Sequence, residues 1–174
     1  DDTDPIERLD IQSGLSYLYP QSTMGAHVSA APHQQTLRDT PLSTRFNVAS
    51  FGDLGYELEL KFMTHAELKE LRGQVEFYKA HRKTLQFGRF YRFDERKSNK
   101  VHWQVSSRDG KEHIVGHFQK LCTASEGPDM LSVKGLEPTR RYRLCCKKQS
   151  IFIKRLGGLV KHVMPVELDP DGFI

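Results

Sequence analysis

The sequence holds only three cysteines, Cys122, Cys145 and Cys146, and the last two are neighbours. An odd count with an adjacent pair gives no disulfide framework, and no CxxC or other ligand spacing suggests zinc. The expectation is reduced, partly buried thiols in a cytoplasmic protein. No apolar run approaches the roughly 18 residues of a membrane span, and no secretory hydrophobic region is present, so no membrane partner is expected. GxSxG, P-loop and dinucleotide fingerprints are also missing, which removes the commonest signatures of serine hydrolases, phosphate loops and nicotinamide enzymes. Histidine is not scarce, but its spacing does not suit a metal. His27 and His33 are six apart across a predicted strand and loop; His113 and His117 share one face of a strand-like segment. Neither pair matches HExxH or has a third ligand, so no metal site is expected.

What is present describes an ordinary globular protein: 174 residues, 37% hydrophobic and 28% charged, enough for one large domain or two small ones. The net charge of +4 is unevenly spread. Residues 1–90 carry 10 Lys and Arg against 12 Asp and Glu, whereas residues 91–174 carry 16 against 10. The basic residues are scattered through strand-like segments, with RRYR at 140–143 the densest group. A solvated sheet face explains this better than a nucleic-acid footprint, so no nucleic-acid partner is expected.

Along the chain, periodicity changes near residue 90. Asp4, Pro5 and Glu7 mark a helix start, a capping carboxylate with Pro at the first helical position. Ile6, Leu9 and Ser13 form its stripe, and Gly14 is placed to end it. MGAHVSA (24–30) reads as a buried strand, HQQTLRDT as a loop, LSTRFNVAS as a helix, and YELEL (56–60) as a strand after a turn bracketed by Gly52 and Gly55. Thr64 and Glu67 form a capping box for a helix to about Lys83, with Leu68, Leu71, Val75 and Tyr78 on its apolar face. Beyond Gly88 the period becomes 2. Val101, Trp103 and Val105 alternate with His102 and Gln104 as a half-buried strand, Asp109-Gly110 is a hairpin turn, and HIVGHFQKL is the partner. MLSVKG (130–135) and RRYRLCC (140–146) read as further short strands, and 151–174 carries no identifiable chemistry. The fold class is α/β followed by all-β.

The opening DDTD crowds three carboxylates, Asp1, Asp2 and Asp4, into four residues. They suit a helix N-terminus, where the macrodipole favours negative charge. That is the preferred reading of these residues alone; the other is that one of them is a general acid/base at a strand's C-terminal end, since crowded carboxylates raise one another's pKa.

DDTDPIERLDIQSGLSYLYPQSTMGAHVSAAPHQQT closely resembles the catalytic segment of bacterial α-galactosidases of glycoside hydrolase family 36, whose pattern is SD-N/D-TD-A-IERL-IQ-G-S--YP---MGAHVS--P-HQT. The resemblance continues through TPLSTRFNVASFGDLGYELEL, QVEFYKAHRKTLQFGRFYR, HWQVSSRDGKEHIVGHFQ and KGLEPTRRYRL, essentially the whole chain. It implies the last part of a (β/α)8 barrel over 1–89 and part of an antiparallel C-terminal β-sandwich over 90–174, truncated at both ends. It implies a retaining enzyme acting on terminal α-linked galactose in melibiose or raffinose-type oligosaccharides. It also implies no cofactor and a homo-oligomeric full-length enzyme. Residue by residue, Asp1 aligns with the general acid/base, Asp2 with the variable position and Asp4 with the second fixed Asp; Asp2 is the fallback for the acid/base role. Nothing here matches the family's K-W-D nucleophile segment, so the chain alone is expected to be inactive. Two other readings stay open: a galactosyl-transferring relative, and a non-catalytic carbohydrate-binding or interaction module with Trp103 and Phe118 as its aromatic platform, although core packing is the preferred use of both rings.

Overall fold

The computed structural model describes residues 2–93, 99–121 and 131–145, and the backbone of the strands within 150–163. Asp1, Cys122 and Cys146 lie outside the described residues, whereas Cys145 is a free, exposed thiol. By proximity the chain divides into two units, Asp1–Gly135 and Leu136–Ile174.

The first unit opens with α1 (Pro5–Leu15), β1 (Gly25–Ser29), α2 (Leu42–Ala49), β2 (Asp53–Glu57) and α3 (His65–Phe87). Asp4 caps α1 through Ile6 and Glu7 N–H, and Pro5 occupies its first turn. The helix runs through Gly14 to Leu15, with its cap at Ser16, slightly beyond the sequence expectation. Tertiary bonds explain the extension: Trp103 Nε1–H donates to Ser13 Oγ at 3.0 Å, and Gln12 donates to the Val48 carbonyl at 3.2 Å. Its buried face is Pro5, Arg8, Leu9 and Gln12, rotated from the Ile6–Leu9–Ser13 stripe because two polar side chains find internal partners.

β1 and β2 pair in parallel, from Gly25 opposite Asp53 to Ser29 opposite Glu57, with α2 in the connection between them. β2 therefore starts three residues before YELEL, and Gly55 lies inside the strand instead of the turn. It sits opposite His27, and a Cβ there would fall 2.4 Å from the His27 ring. Ala26 and Val28 of β1 pack with Leu42, Phe46, Ala49, Tyr78 and Leu85 in one core cluster. Tyr78 binds α3 to the start of β2, donating to the Gly52 carbonyl at 2.7 Å and accepting from Leu54 N–H at 3.2 Å. The Thr64–Glu67 capping box is formed, and α3 continues to Phe87, about one turn past Lys83. Its expected apolar face is only partly covered: Tyr78 is buried, Leu71 and Val75 are half-buried, and Leu68 is exposed.

Next comes an antiparallel sheet in the order β3 (Arg89–Arg92), β4 (Lys100–Ser106), β5 (His113–Gln119). Gly110 takes φ 67° in the β4–β5 turn, where a β-carbon would be strained. β4 is not half-buried. Val101, Trp103 and Val105 fill a second core cluster with Leu9, Val48 and Phe51, but His102 and Gln104 are buried too. Phe93 stacks on His102 at 4.3 Å, and Gln104 covers itself with residue 134 by donating to the Lys134 carbonyl at 2.7 Å and accepting from its N–H at 2.8 Å. That side-chain pairing takes both Lys134 backbone groups, and the described part of MLSVKG forms no strand. Trp103 is fully buried, with Phe51 at 5.4 Å and Phe118 at 5.3 Å, so both Trp103 and Phe118 are used in packing and not as an exposed aromatic platform.

In the second unit the described residues of RRYRLCC hold a single bridge position, not a strand. The Arg140 N–H donates to the Glu137 carbonyl at 3.0 Å, folding this stretch into a turn. β6 (Ser150–Arg155) and β7 (Gly158–Val163) form an antiparallel hairpin that the sequence reading did not contain.

Candidate functional site

Parallel pairing brings the C-terminal ends of β1 and β2, Ser29 and Glu57, to one edge. In parallel α/β folds, helices cover the faces and the following loops carry the chemistry at this edge. The carboxylate segment is anchored there, because Ser29 Oγ donates to the Thr3 carbonyl at 3.3 Å. The polar loop after β1 folds back on the same segment. His33 N–H donates to the Arg38 carbonyl at 2.9 Å and Leu37 N–H to the His33 carbonyl at 2.8 Å, which turns His33, Thr36 and Arg38 towards Asp2 and Asp4.

Asp4 is completely buried and fully used. One carboxylate oxygen accepts from Ile6 N–H at 2.8 Å and Glu7 N–H at 3.2 Å, and from the Arg38 guanidinium. The other accepts from Thr36 Oγ–H at 2.6 Å. Burial by itself would push this carboxyl up; the Thr36 hydrogen bond, the two N–H groups of α1 and the Arg38 charge outweigh it and hold it below its ordinary value. The expectation that crowding raises a carboxyl's pKa is thus reversed at Asp4, which is an ionised helix cap tying the loop to α1.

Asp2 is more open. Its Oδ1 accepts from Asp4 N–H at 2.7 Å, closing a turn before α1, and lies 3.3 Å from His33 Nε2. The His33 ring is 97% buried, being only 3% exposed, and its Nε2 is also 3.0 Å from Thr3 Oγ. His27 stands apart on β1, half-open to solvent and 2.7 Å from Glu57. Below the site, Arg8 is buried and donates to the Gly25 carbonyl, and Arg45 donates to the Ser29 carbonyl, so two guanidiniums brace the ends of β1. The hollow lined by Asp53, Leu54, Tyr78 and Gln86 is elsewhere, where β2 begins against α3. Sequence reading brought Asp2 and Asp4 forward but missed Thr36 and Arg38 and set His33 aside. The usable signal was position: a polar loop directly after a strand of a parallel pair.

Asp4→Ala is expected to destabilise the fold by about 3 kcal/mol, from a lost helix cap and a guanidinium left without its buried partner. Chemical unfolding of the variant against wild type measures it; a change under about 1 kcal/mol would mean that solvent replaces these bonds. The sign with pH follows from the lowered carboxyl. Its stabilisation is complete above the ordinary value of 3.8 and disappears as pH falls through the folded-state pKa, so Asp4→Ala should flatten the acid limb of the stability curve.

Two family models match segments of this chain. A family model described as Melibiase matches residues 1–88, the segment that holds the carboxylates, the parallel pair and α3. The chain belongs to the melibiase family. A second model, the glycosyl hydrolase family 36 C-terminal domain, matches residues 100–162 of the chain. Among curated relatives, α-galactosidase AgaA of Geobacillus stearothermophilus is 41% identical over 83% of the chain, and α-galactosidase Mel36A of Lactobacillus acidophilus is 42% identical over 82%. The chain spans only about a fifth of either relative, 20% of each. Among solved structures, a variant of AgaA in complex with raffinose superposes with a TM-score of 0.78 at 36% identity, covering 99% of this chain and 24% of that one. A second AgaA variant, in complex with stachyose, gives 0.79 at 36% identity, covering all of this chain, 100%, and 24% of that one.

Proposed function

We propose that this chain is the closing part of the catalytic barrel, with part of the C-terminal β-domain, of a retaining α-galactosidase. Its substrates are melibiose and raffinose-type oligosaccharides, from which it removes terminal α-linked galactose. Residues 1–89 supply the last βα units of a (β/α)8 barrel, with β1 and β2 as its seventh and eighth strands and α3 as its closing helix. Residues 90–174 belong to an antiparallel β-sandwich. The observation that carries this reading is the carboxylate segment fixed at the C-terminal edge of a parallel strand pair, where barrel enzymes hold their catalytic groups. The AgaA complexes with raffinose and stachyose support the substrate class.

In the retaining mechanism two carboxyls lie roughly 5–5.5 Å apart across the glycosidic bond. The nucleophile, outside this chain, attacks the anomeric carbon while the acid/base protonates the departing oxygen. The same acid/base then takes a proton from the water that cleaves the glycosyl-enzyme. Asp1 is the acid/base, with Asp2 as fallback. Asp4 is committed to four donors, and Asp2 Oδ1 to the Asp4 N–H, which favours Asp1 for a proton-transfer role. The full-length enzyme is a homo-oligomer in this reading, and water is preferred to a sugar as acceptor.

Grafting this chain in place of the corresponding stretch of AgaA tests the proposal. The hybrid is expected to hydrolyse raffinose within about tenfold of AgaA, since its acid/base and its bracing loop are supplied by this chain. A folded hybrid that releases no galactose sinks the reading; one that mainly transfers galactose to added sucrose favours the transferase relative.

A further inference from the structure

His33 is a side chain with two different tasks at its two ring nitrogens. The N–H groups of Gln35 and Thr36 point at Nδ1 from 3.4 and 3.3 Å. The Thr36 hydroxyl, also 3.3 Å from Nδ1, gives its own proton to Asp4. Two backbone donors converging on Nδ1 require a lone pair there, so the ring proton sits on Nε2. That N–H faces Thr3 Oγ at 3.0 Å and Asp2 Oδ1 at 3.3 Å. The ring itself is buried, which limits competition from water at both contacts.

We infer that His33 is a positioning residue for the acid/base: its Nε2–H holds the side chains of Asp2 and Thr3, which follow Asp1 in sequence, while Nδ1 holds the loop that supplies Thr36 and Arg38. The inference rests on the α-galactosidase reading above. The mechanism requires a carboxyl held within a fraction of an ångström of the glycosidic oxygen. Asp4 is bound by the start of α1 and by the loop, but Asp2 and Thr3 precede the helix and depend on β1 and its loop for restraint. Ser29 holds the Thr3 carbonyl and His33 holds the side chains. The contact spans thirty residues of sequence, so it couples the carboxylate segment before α1 to the loop that follows β1.

The two tasks can be separated by substitution. Glutamine carries an amide N–H near the position of Nε2 and offers nothing equivalent at Nδ1. Asparagine places an oxygen near Nδ1, keeps the loop bonds and loses the donor towards Thr3 and Asp2. His33→Asn and His33→Gln are to be compared in the full-length enzyme, with raffinose and with an activated aryl α-galactoside as substrates and thermal midpoints measured in parallel. His33→Asn should lower kcat/KM on raffinose about 100-fold, with less than about tenfold loss of kcat/KM on the aryl substrate, whose leaving group needs little protonation in the first step. His33→Gln should stay within about fivefold of wild type on both substrates, even if its midpoint falls. The positioning role is overturned if His33→Asn keeps wild-type turnover of raffinose. It is equally overturned if either variant loses both substrates alike in step with its midpoint. A wild-type enzyme without galactose release would instead reject the α-galactosidase reading and the inference with it, and that failure is visible before any variant is made.

Discussion

Assayed alone, the chain is expected to release no phenol from an aryl α-galactoside above a heat-killed control. Retention of configuration takes two displacements, and each needs a different carboxyl in place. In the proposed reading the chain supplies only the acid/base segment; nothing in its sequence matches a nucleophile segment. Loss of a nucleophile in a covalent mechanism costs on the order of 10⁶ in kcat, which puts residual turnover below ordinary detection. An aryl substrate makes the assay demanding, because it needs no general acid in the first step and would expose even a misplaced nucleophile. Circular dichroism showing the helices α1 to α3 must accompany the assay, so that inactivity is read from a folded chain. Measurable turnover would mean that a carboxyl within the chain, such as Glu57 at the end of β2, can attack the anomeric carbon.

Local chemistry was legible wherever a few neighbouring residues decide the backbone. Asp4, Pro5 and Glu7 announce α1, and Thr64 with Glu67 announces α3, since caps act within one turn. Alternation in VHWQV marked β4 correctly as a strand, but burial of its second face depends on Phe93 and Lys134, which no period reports. β3 was missed because RFYR directly follows a helix and is defined by distant pairing, Arg89 opposite Ser106. The same limit applies to the site. The carboxylates stood out as a cluster, and motif resemblance assigned them. His33, Thr36 and Arg38 reach Asp2 and Asp4 from about thirty positions away, through a loop whose closure is a tertiary fact.

The division of labour among those carboxylates leads to the sharpest test. In the full-length enzyme, Asp1→Asn is expected to reduce raffinose hydrolysis about 10³-fold, the usual worth of a well-placed general acid. Substrates with good leaving groups should lose far less in the first step, and the glycosyl-enzyme should then accumulate because no base activates water. Added azide needs no deprotonation. It should attack the anomeric carbon of that intermediate, expel the nucleophile carboxylate and yield α-galactosyl azide, restoring turnover of the aryl substrate but not of raffinose. Asp2→Asn is the matched control: its Oδ1 serves the Asp4 N–H and faces His33, and an asparagine oxygen can still accept from that N–H. It should therefore show a smaller loss, shared by both substrates, and no azide rescue. If azide rescues Asp2→Asn and leaves Asp1→Asn unchanged, the acid/base role passes to Asp2. If it rescues neither, while both variants fold, the retaining mechanism cannot run through this carboxylate segment at all.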